Sequence, residues 1–506
     1  MMHNLPREKL REIVARHGRS VADEPRRCEG LLRDHCGAYR REIAVLVGAL
    51  EERVAADLLA AGEGMPREVL LARLARRLHD NVAMEEAAAR WAVHSWALAL
   101  GAVSGAELEA IERGRPKPAP TAPAVPVAPR AKRRPVVPRP SSGIVVSAAG
   151  DGDYPSLGEA LRAAAPGAHI LVRPGLYREG LVIDRPVEII GQGAREEIVI
   201  AQADASCIRM RTGEATVRGL TLRGEAGGGR GGEGFFAVDI PQGRLTLEDC
   251  EITSDSLSCI GIHNDLTDPI IRRCRIHTSA DSGVYFFDAA RGTVEDCDIY
   301  DSRNVGVAIT GRATPVIRRC AVRGGGDAGV VAWGGGGGLV EECEISGNAK
   351  AGVGVSDEGN LVMRRCRIYG GGNSGVFVHD HGRATLEGCD VHGHGEPEVA
   401  VTVGGDLVMR GCRIHEGRSS GVFIYNEGRA FLERCDLYSN ADAGVSVGAG
   451  GVAAVRQCRV NGNGSVAIRV GAGAAADVDG CDLTGNRAGA WGTEEGAAVE
   501  SRGNRL

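Results

Sequence analysis

Aromatic side chains are scarce in this chain: Phe, Trp and Tyr make up 4% of its 506 residues. Long apolar runs are missing too. No stretch offers the ~18 uncharged apolar residues that a membrane-spanning helix needs. The opening residues, MMHNLPREKL, place no apolar segment behind their charges of the kind that directs export. No membrane association is expected, and the expected location is the cytoplasm. Fifteen cysteines is an odd number, and without an export signal they are expected as reduced thiols used for packing rather than as disulfides. A basic surface is lacking as well. Formal net charge is −6: residues 1–115 balance, residues 116–142 add about six positive charges and no acid, and the remainder carries about −12. An acidic body repels phosphates, so nucleic acid is not an expected partner.

Glycine, in contrast, is abundant at 74 residues and recurs at regular intervals in the C-terminal part. The length exceeds what one ordinary core serves, so a repeat architecture is expected. Three segments follow one another. Residues 1–114 show helical periodicity (Leu10, Ile13 and Val14; Leu31, Leu32, Tyr39, Ile43, Leu46, Val47, Leu50 and Val54; Val69, Leu70, Leu74 and Leu78; Trp91, Val93, Trp96 and Leu100), with Pro25 and Pro66 at helix starts. This predicts a small bundle of roughly five helices. Residues 115–142 form a proline-rich basic linker, extended and semi-rigid. Residues 143–506 turn to short strands, after a capping helix near 156–165 and strands at 169–173, 180–183 and 187–190.

The repeat is set by Cys250, Cys274, Cys297, Cys320, Cys343, Cys366, Cys389, Cys412, Cys435, Cys458 and Cys481, spaced 24 once and then 23 nine times. A glycine column (Gly261, Gly283, Gly306, Gly329, Gly352, Gly375) is broken by Glu398, resumes at Gly421 and Gly444, and ends at Ala467 and Ala490. Each coil reads as three short strands. Val284 and Phe286, Val376 and Val378, and Val422 and Ile424 are expected to point inward, with cysteines on another wall. Two residues before each cysteine the charge alternates, Glu248, Arg272, Glu295, Arg318, Glu341, Arg364, Glu387, Arg410, Glu433, Arg456 and Asp479. Stacked coils turn that alternation into cross-strand attraction. The fold class expected is all-β, a right-handed parallel β-helix behind a small α-helical bundle.

The run Gly152–Gly193 resembles the opening of pectin-lyase-like β-helices. The repeats SGVFVHDHGRATLEGCDVHG and SGVFIYNEGRAFLERCDLYSNADAGVSV resemble the carbohydrate-binding-and-sugar-hydrolase type found in F-box substrate receptors and in periplasmic copper-site maturation proteins. The first resemblance implies polysaccharide cleavage or de-esterification, the second recognition of a protein. The segment Ser20–Val54 is similar to helical modules of bacterial signalling and conflict-system proteins, which implies docking to a protein partner. The polygalacturonase signature is absent; the text nearest to a methylesterase site, Gly292–Asp296, runs into the charge column.

Candidate site residues lie on the outer face of the G-V-x-[VI] strand: His263, Tyr285, Phe287, Trp333, Phe377, His379, Phe423 and Tyr425, a stripe suited to sugars or a peptide. The turn behind it carries Asp288, Asp357 and Asp380, the catalytic candidates if the protein is an enzyme, with Asp265 and Asn426 in the same row; aspartate and asparagine are also what turns prefer. His379, Asp380, His381, His392 and His394 lack the spacing of a metal site, and neither metal nor cofactor is expected. The functional expectation is a non-enzymatic adaptor, with a protein or glycan target on the solenoid and a protein partner on the helices. The alternative is a polysaccharide lyase, hydrolase or esterase.

Overall fold

The computed structural model describes residues 5–18, 21–22, 25–37, 39–51, 54–55, 58, 71, 74, 78, 86–103, 143–226 and 234–506. The linker expected at 115–142 lies outside these residues, as do Pro66, Val69 and Leu70. The chain divides into two compact units, Met1–Pro135 and Val136–Leu506.

In the first unit the described helices are Leu5–His17, Pro25–Cys36, Arg40–Glu51 and Glu86–Ala99. Their apolar stripes meet in one core of Leu10, Ile13, Leu32, Leu46, Leu78 and Trp96, as a 3.6-residue period requires. The Trp96 indole N–H donates to the Leu46 carbonyl at 2.9 Å, so its burial leaves no orphaned donor. Cys28 is buried in this core, and burial pushes its thiol up to about 12. His35 is exposed, which separates it from Cys28 and Cys36. Among the described residues no helix is long and apolar enough to cross a membrane.

The second unit is a parallel β-solenoid of three sheets with 16, 14 and 13 strands. Each complete coil contributes one strand to each sheet, the end coils fewer, and each strand pairs only with the equivalents one coil before and after. The helix Leu157–Ala163 closes the first coil. Ser156 caps it through the Glu159 N–H, and the Glu179 carboxylate accepts from the N–H groups of Leu157 and Gly158, both at 2.8 Å. Leu157, Ala160 and Leu161 face the solenoid core. The sequence reading missed the strand Gly175–Arg178, whose glycine and arginine ends hide a single inward residue, Tyr177.

The expected inward residues Val284, Phe286, Val376, Val378, Val422 and Ile424 are fully buried, and the cysteine ladder lines the same core. In front of each cysteine the backbone turns through the left-handed region: Asp249, Arg273, Asp296, Arg319, Glu342, Arg365 and Arg434 all have φ between 50° and 54°. Side chains there cost about 1–2 kcal/mol relative to glycine. Here they form a second alternating charge column, with Arg273 on Asp249 at 2.9 Å and Arg319 on Asp296 at 2.8 Å. The column two residues before the cysteine is paired as expected: Arg272 on Glu248 at 2.9 Å, Arg318 on Glu295 at 2.7 Å, Arg364 on Glu387 at 2.8 Å.

Glu295 sits between Arg272 and Arg318 in register and also receives Arg319. Glu295→Arg is therefore expected to lower stability by about 1 kcal/mol in chemical denaturation at low salt. Part of the loss should return at high salt, where like charges are screened.

The glycine column has a steric cause. A Cβ at Gly283, Gly306, Gly329, Gly352 or Gly421 would lie 2.7 Å from the carbonyl oxygen of the equivalent residue in the next coil. At these five positions glycine lets the coils close at this corner without displacing the next coil.

Candidate functional site

The stripe of aromatic residues lies on the outer face of the 14-stranded sheet, because the strands alternate inward valine or isoleucine with an outward residue. The register runs Gly261, Tyr285, Ala308, Val331, Gly354, Phe377, Ala400, Phe423 down the middle of the face. Small side chains thus separate two aromatic groups, and the eight candidates do not form one continuous stripe.

The first group joins His263, Tyr285, Phe287 and Trp333 with Phe236. His263 stacks on Phe287 at 4.8 Å between ring centres, and Tyr285 on Phe287 at 4.7 Å. His263 is fully engaged: Nε2 is 2.9 Å from the buried Asp239 carboxylate, which also meets Arg209, and the Asn264 amide lies 3.2 Å from Nδ1. A carboxylate only accepts, so Nε2 carries the proton and Nδ1 accepts from Asn264. Neither nitrogen is left for substrate.

The second group holds Phe377 stacked on His379 at 4.4 Å and Phe423 stacked on Tyr425 at 4.6 Å. Phe377 and Phe423 stand two coils apart, about 10 Å at strand spacing, with Ala400 between them. Together with Val331, Gly354, Asp327, Lys350, Asn373, Glu396 and Ser419 they line a groove of about 560 Å³, within the usual range for ligand sites. His379 Nδ1 lies 2.8 Å from the Asp380 carboxylate. A carboxylate only accepts, so Nδ1 carries the proton, and in the neutral imidazole Nε2 then holds the lone pair that a general base needs.

The turn aspartates share one position. Asp288, Asp357 and Asp380 have φ of 52°, 47° and 46°, and Asn426 has 46°, so short polar side chains are favoured there by backbone geometry. Asp357 donates its N–H to the Asp380 carbonyl from the adjacent coil, whereas Asp288 lies three coils further, beyond Gly311 and Gly334. Only Asp380 is joined to a groove residue, through His379.

Two features escaped the sequence reading. The wall of the groove opposite His379 is the turn column Asp327, Lys350, Asn373, Glu396 and Ser419, one residue per coil. Projecting the 23-residue ruler onto that turn reveals it. The other is a ring ladder on the 13-stranded sheet: Tyr369, His392, His415 and Tyr438 stack at 5.2, 4.8 and 4.8 Å with planes within 10°. Their faces are spent on each other, so only ring edges remain for solvent. His392 thus belongs to this ladder and His394 to the interior, away from His379. Among the described residues no group of three or more histidine, cysteine or acidic side chains converges as a metal site.

Burial lowers the His392 pKa, with the neighbouring His415 adding to it. The fold therefore favours neutral His392: its contribution is complete above the unfolded value near 6.5 and is lost as pH falls through the depressed folded value. Stability should drop between pH 7.5 and 5.5, and His392→Tyr, which continues the ladder, should make that drop smaller in denaturation measured at both pH values.

Residues 206–360, 267–406 and 354–506 match the family described as right handed beta helix region. The chain belongs to this family. Comparison with curated proteins finds no match. Among solved structures, the mannuronan C-5 epimerase AlgE6 A-module of Azotobacter vinelandii is similar over 69% of this chain and 92% of its own, at 18% identity and TM-score 0.39. The periplasmic alginate epimerase AlgG aligns over 66% of this chain and 78% of its own, at 12% identity and TM-score 0.40. The catalytic unit of the GH87 α-1,3-glucanase of Streptomyces thermodiastaticus aligns over 73% and 69%, at 16% identity and TM-score 0.41.

The expectation of a non-enzymatic adaptor is corrected at this point. The groove adds titratable side chains, His379 with Asp380 and Glu396, to rings that a passive platform would present alone.

Proposed function

We propose that the groove between Phe377 and Phe423 binds a polysaccharide and that the protein is a polysaccharide-active enzyme of the lyase, hydrolase or esterase kind. The observation that carries this reading is one groove combining stacked aromatic rings with a histidine whose Nδ1 is fixed by a carboxylate. Rings spaced along a chain-shaped groove bind the apolar faces of sugar rings. Each of the three reactions also needs a base beside the bound chain, and His379 supplies it through Nε2.

The direct test is to measure binding of a panel of oligosaccharides by calorimetry on the full-length wild type and on Phe377→Ala/Phe423→Ala. Loss of at least about 10-fold in affinity, at about 1.4 kcal/mol per decade, supports the reading. Unchanged affinity in the double variant, with the coil still folded by circular dichroism, contradicts it.

A further inference from the structure

The charges in the groove are arranged against one large class of glycan. Of the residues lining it, Lys350 is the one cation, and its Nζ is bound to the Asp327 carboxylate at 2.7 Å. Asp380, hydrogen-bonded to His379, adds a carboxylate at the end of the groove. Glu396 stands exposed in the same turn column with no compensating cation among the lining residues. The next cation toward the C-terminal end of that wall, Arg469, is held by Asp442 through two hydrogen bonds of 2.5 and 2.7 Å. Arg418 precedes Ser419 in the chain but is not among the lining residues. The groove therefore presents a surplus of negative charge on a solenoid that is itself acidic, at about −12 over residues 143–506.

We infer that the groove takes an uncharged glycan and not a polyuronate. This rests on the glycan-binding reading above and narrows it. A uronate chain long enough to span both phenylalanines brings carboxylates against Glu396 and Asp327 with no free guanidinium or ammonium among the lining residues to receive them. The chemistry follows from the charge. Proton abstraction at the sugar C5, the step that opens β-elimination, depends on an adjacent uronate carboxylate whose charge is neutralised as the carbanion develops. The lining residues offer no such neutralising group. A neutral chain without uronic units has no C6 carbonyl, acid or ester, to activate that proton, so on such a chain the lyase drops out of the three reactions and hydrolysis of a glycosidic or ester bond remains.

The test compares a neutral gluco-oligosaccharide, an oligogalacturonate of equal length and an amino-sugar oligomer by calorimetry on the full chain. Each is titrated at low and high salt, with chelator and with calcium. The neutral oligomer is expected to bind at least about 10-fold more tightly than the uronate at low salt, a gap that narrows as salt screens the acids. Glu396→Gln is expected to raise the affinity for the uronate relative to that for the neutral oligomer by at least about 3-fold, a ratio read from both titrations on the same variant. Tighter binding of the uronate, with or without calcium, or of the amino-sugar oligomer, overturns the charge assignment while leaving the glycan-binding reading in place. Binding of none of the three overturns both.

Discussion

Glu398→Ala is expected to destabilise the solenoid by about 3–5 kcal/mol, the cost of leaving two buried groups of His394, its backbone N–H and its ring Nδ1, without their hydrogen-bond partner. Glu398 and His394 are both 0% exposed. One carboxylate oxygen accepts from the His394 backbone N–H at 2.9 Å, and the other bonds His394 Nδ1. The pair is accommodated by its neighbours. A Cβ at Gly371, in the coil before, would lie 3.0 Å from His394 Cδ2, and one at Gly417, in the coil after, 2.8 Å from Glu398 Oε1. The alternative packing of the same corner is visible two coils further on, where Asn440, Asn463 and Asn486 form a buried amide ladder and glycine holds the Glu398 position at Gly444.

Two replacements separate pairing from simple space-filling. Glu398→Gln keeps an acceptor for the His394 N–H and should cost less than alanine, about 1–2 kcal/mol. The double replacement His394→Asn with Glu398→Gly imitates the neighbouring coils and should restore most of the stability lost in Glu398→Ala. Hydrogen exchange would place the Glu398→Ala damage in the coils around residues 371–421, since a solenoid spreads a defect only through its nearest neighbours. A Glu398→Ala variant as stable as wild type would contradict the structural role of the pair.

His379→Ala is expected to lower kcat by about 10²–10⁴ on whatever glycan the protein turns over, the usual contribution of a general base. KM should change far less, because the Phe377 and Phe423 rings remain. Asp380→Asn should act in the same direction and more weakly, since an amide still bonds Nδ1 but can turn the ring to the wrong tautomer. His379 and Asp380 are partly exposed, so neither change should unfold the coil. Turnover retained in His379→Ala would assign the base elsewhere.

Most of the solenoid was legible in advance because a 23-residue ruler converts sequence positions into stacked columns. The cysteines, the alternating charges around them and the inward valines each need only their own column to be interpreted. The groove was harder. Phe377, His379, Phe423 and Tyr425 were visible as outward residues, but whether rings form one stripe or two depends on the small residues interposed, Ala308, Val331 and Gly354. The opposite wall, Asp327, Lys350 and Glu396, lies in a turn whose polar residues look like ordinary turn chemistry until the coils are stacked. Glu398 was visible as a break in the glycine column. Its partner His394 was not, because a contact between two residues of one turn depends on how that turn folds inward and leaves no periodic trace. The adaptor reading failed for a related reason: His379 and Asp380 were visible as candidates, but the bond that holds them together beside the rings was not.

The central claim is that glycan lies between Phe377 and Phe423 beside His379. A structure of the full chain with a bound neutral oligosaccharide tests it most directly. Sugar rings over the two phenylalanines, with a glycosidic or ester bond within reach of His379 Nε2, are the expected result. Density for the oligosaccharide on the His263–Phe287 cluster or on the Tyr369–Tyr438 ladder, with the groove empty, would contradict it.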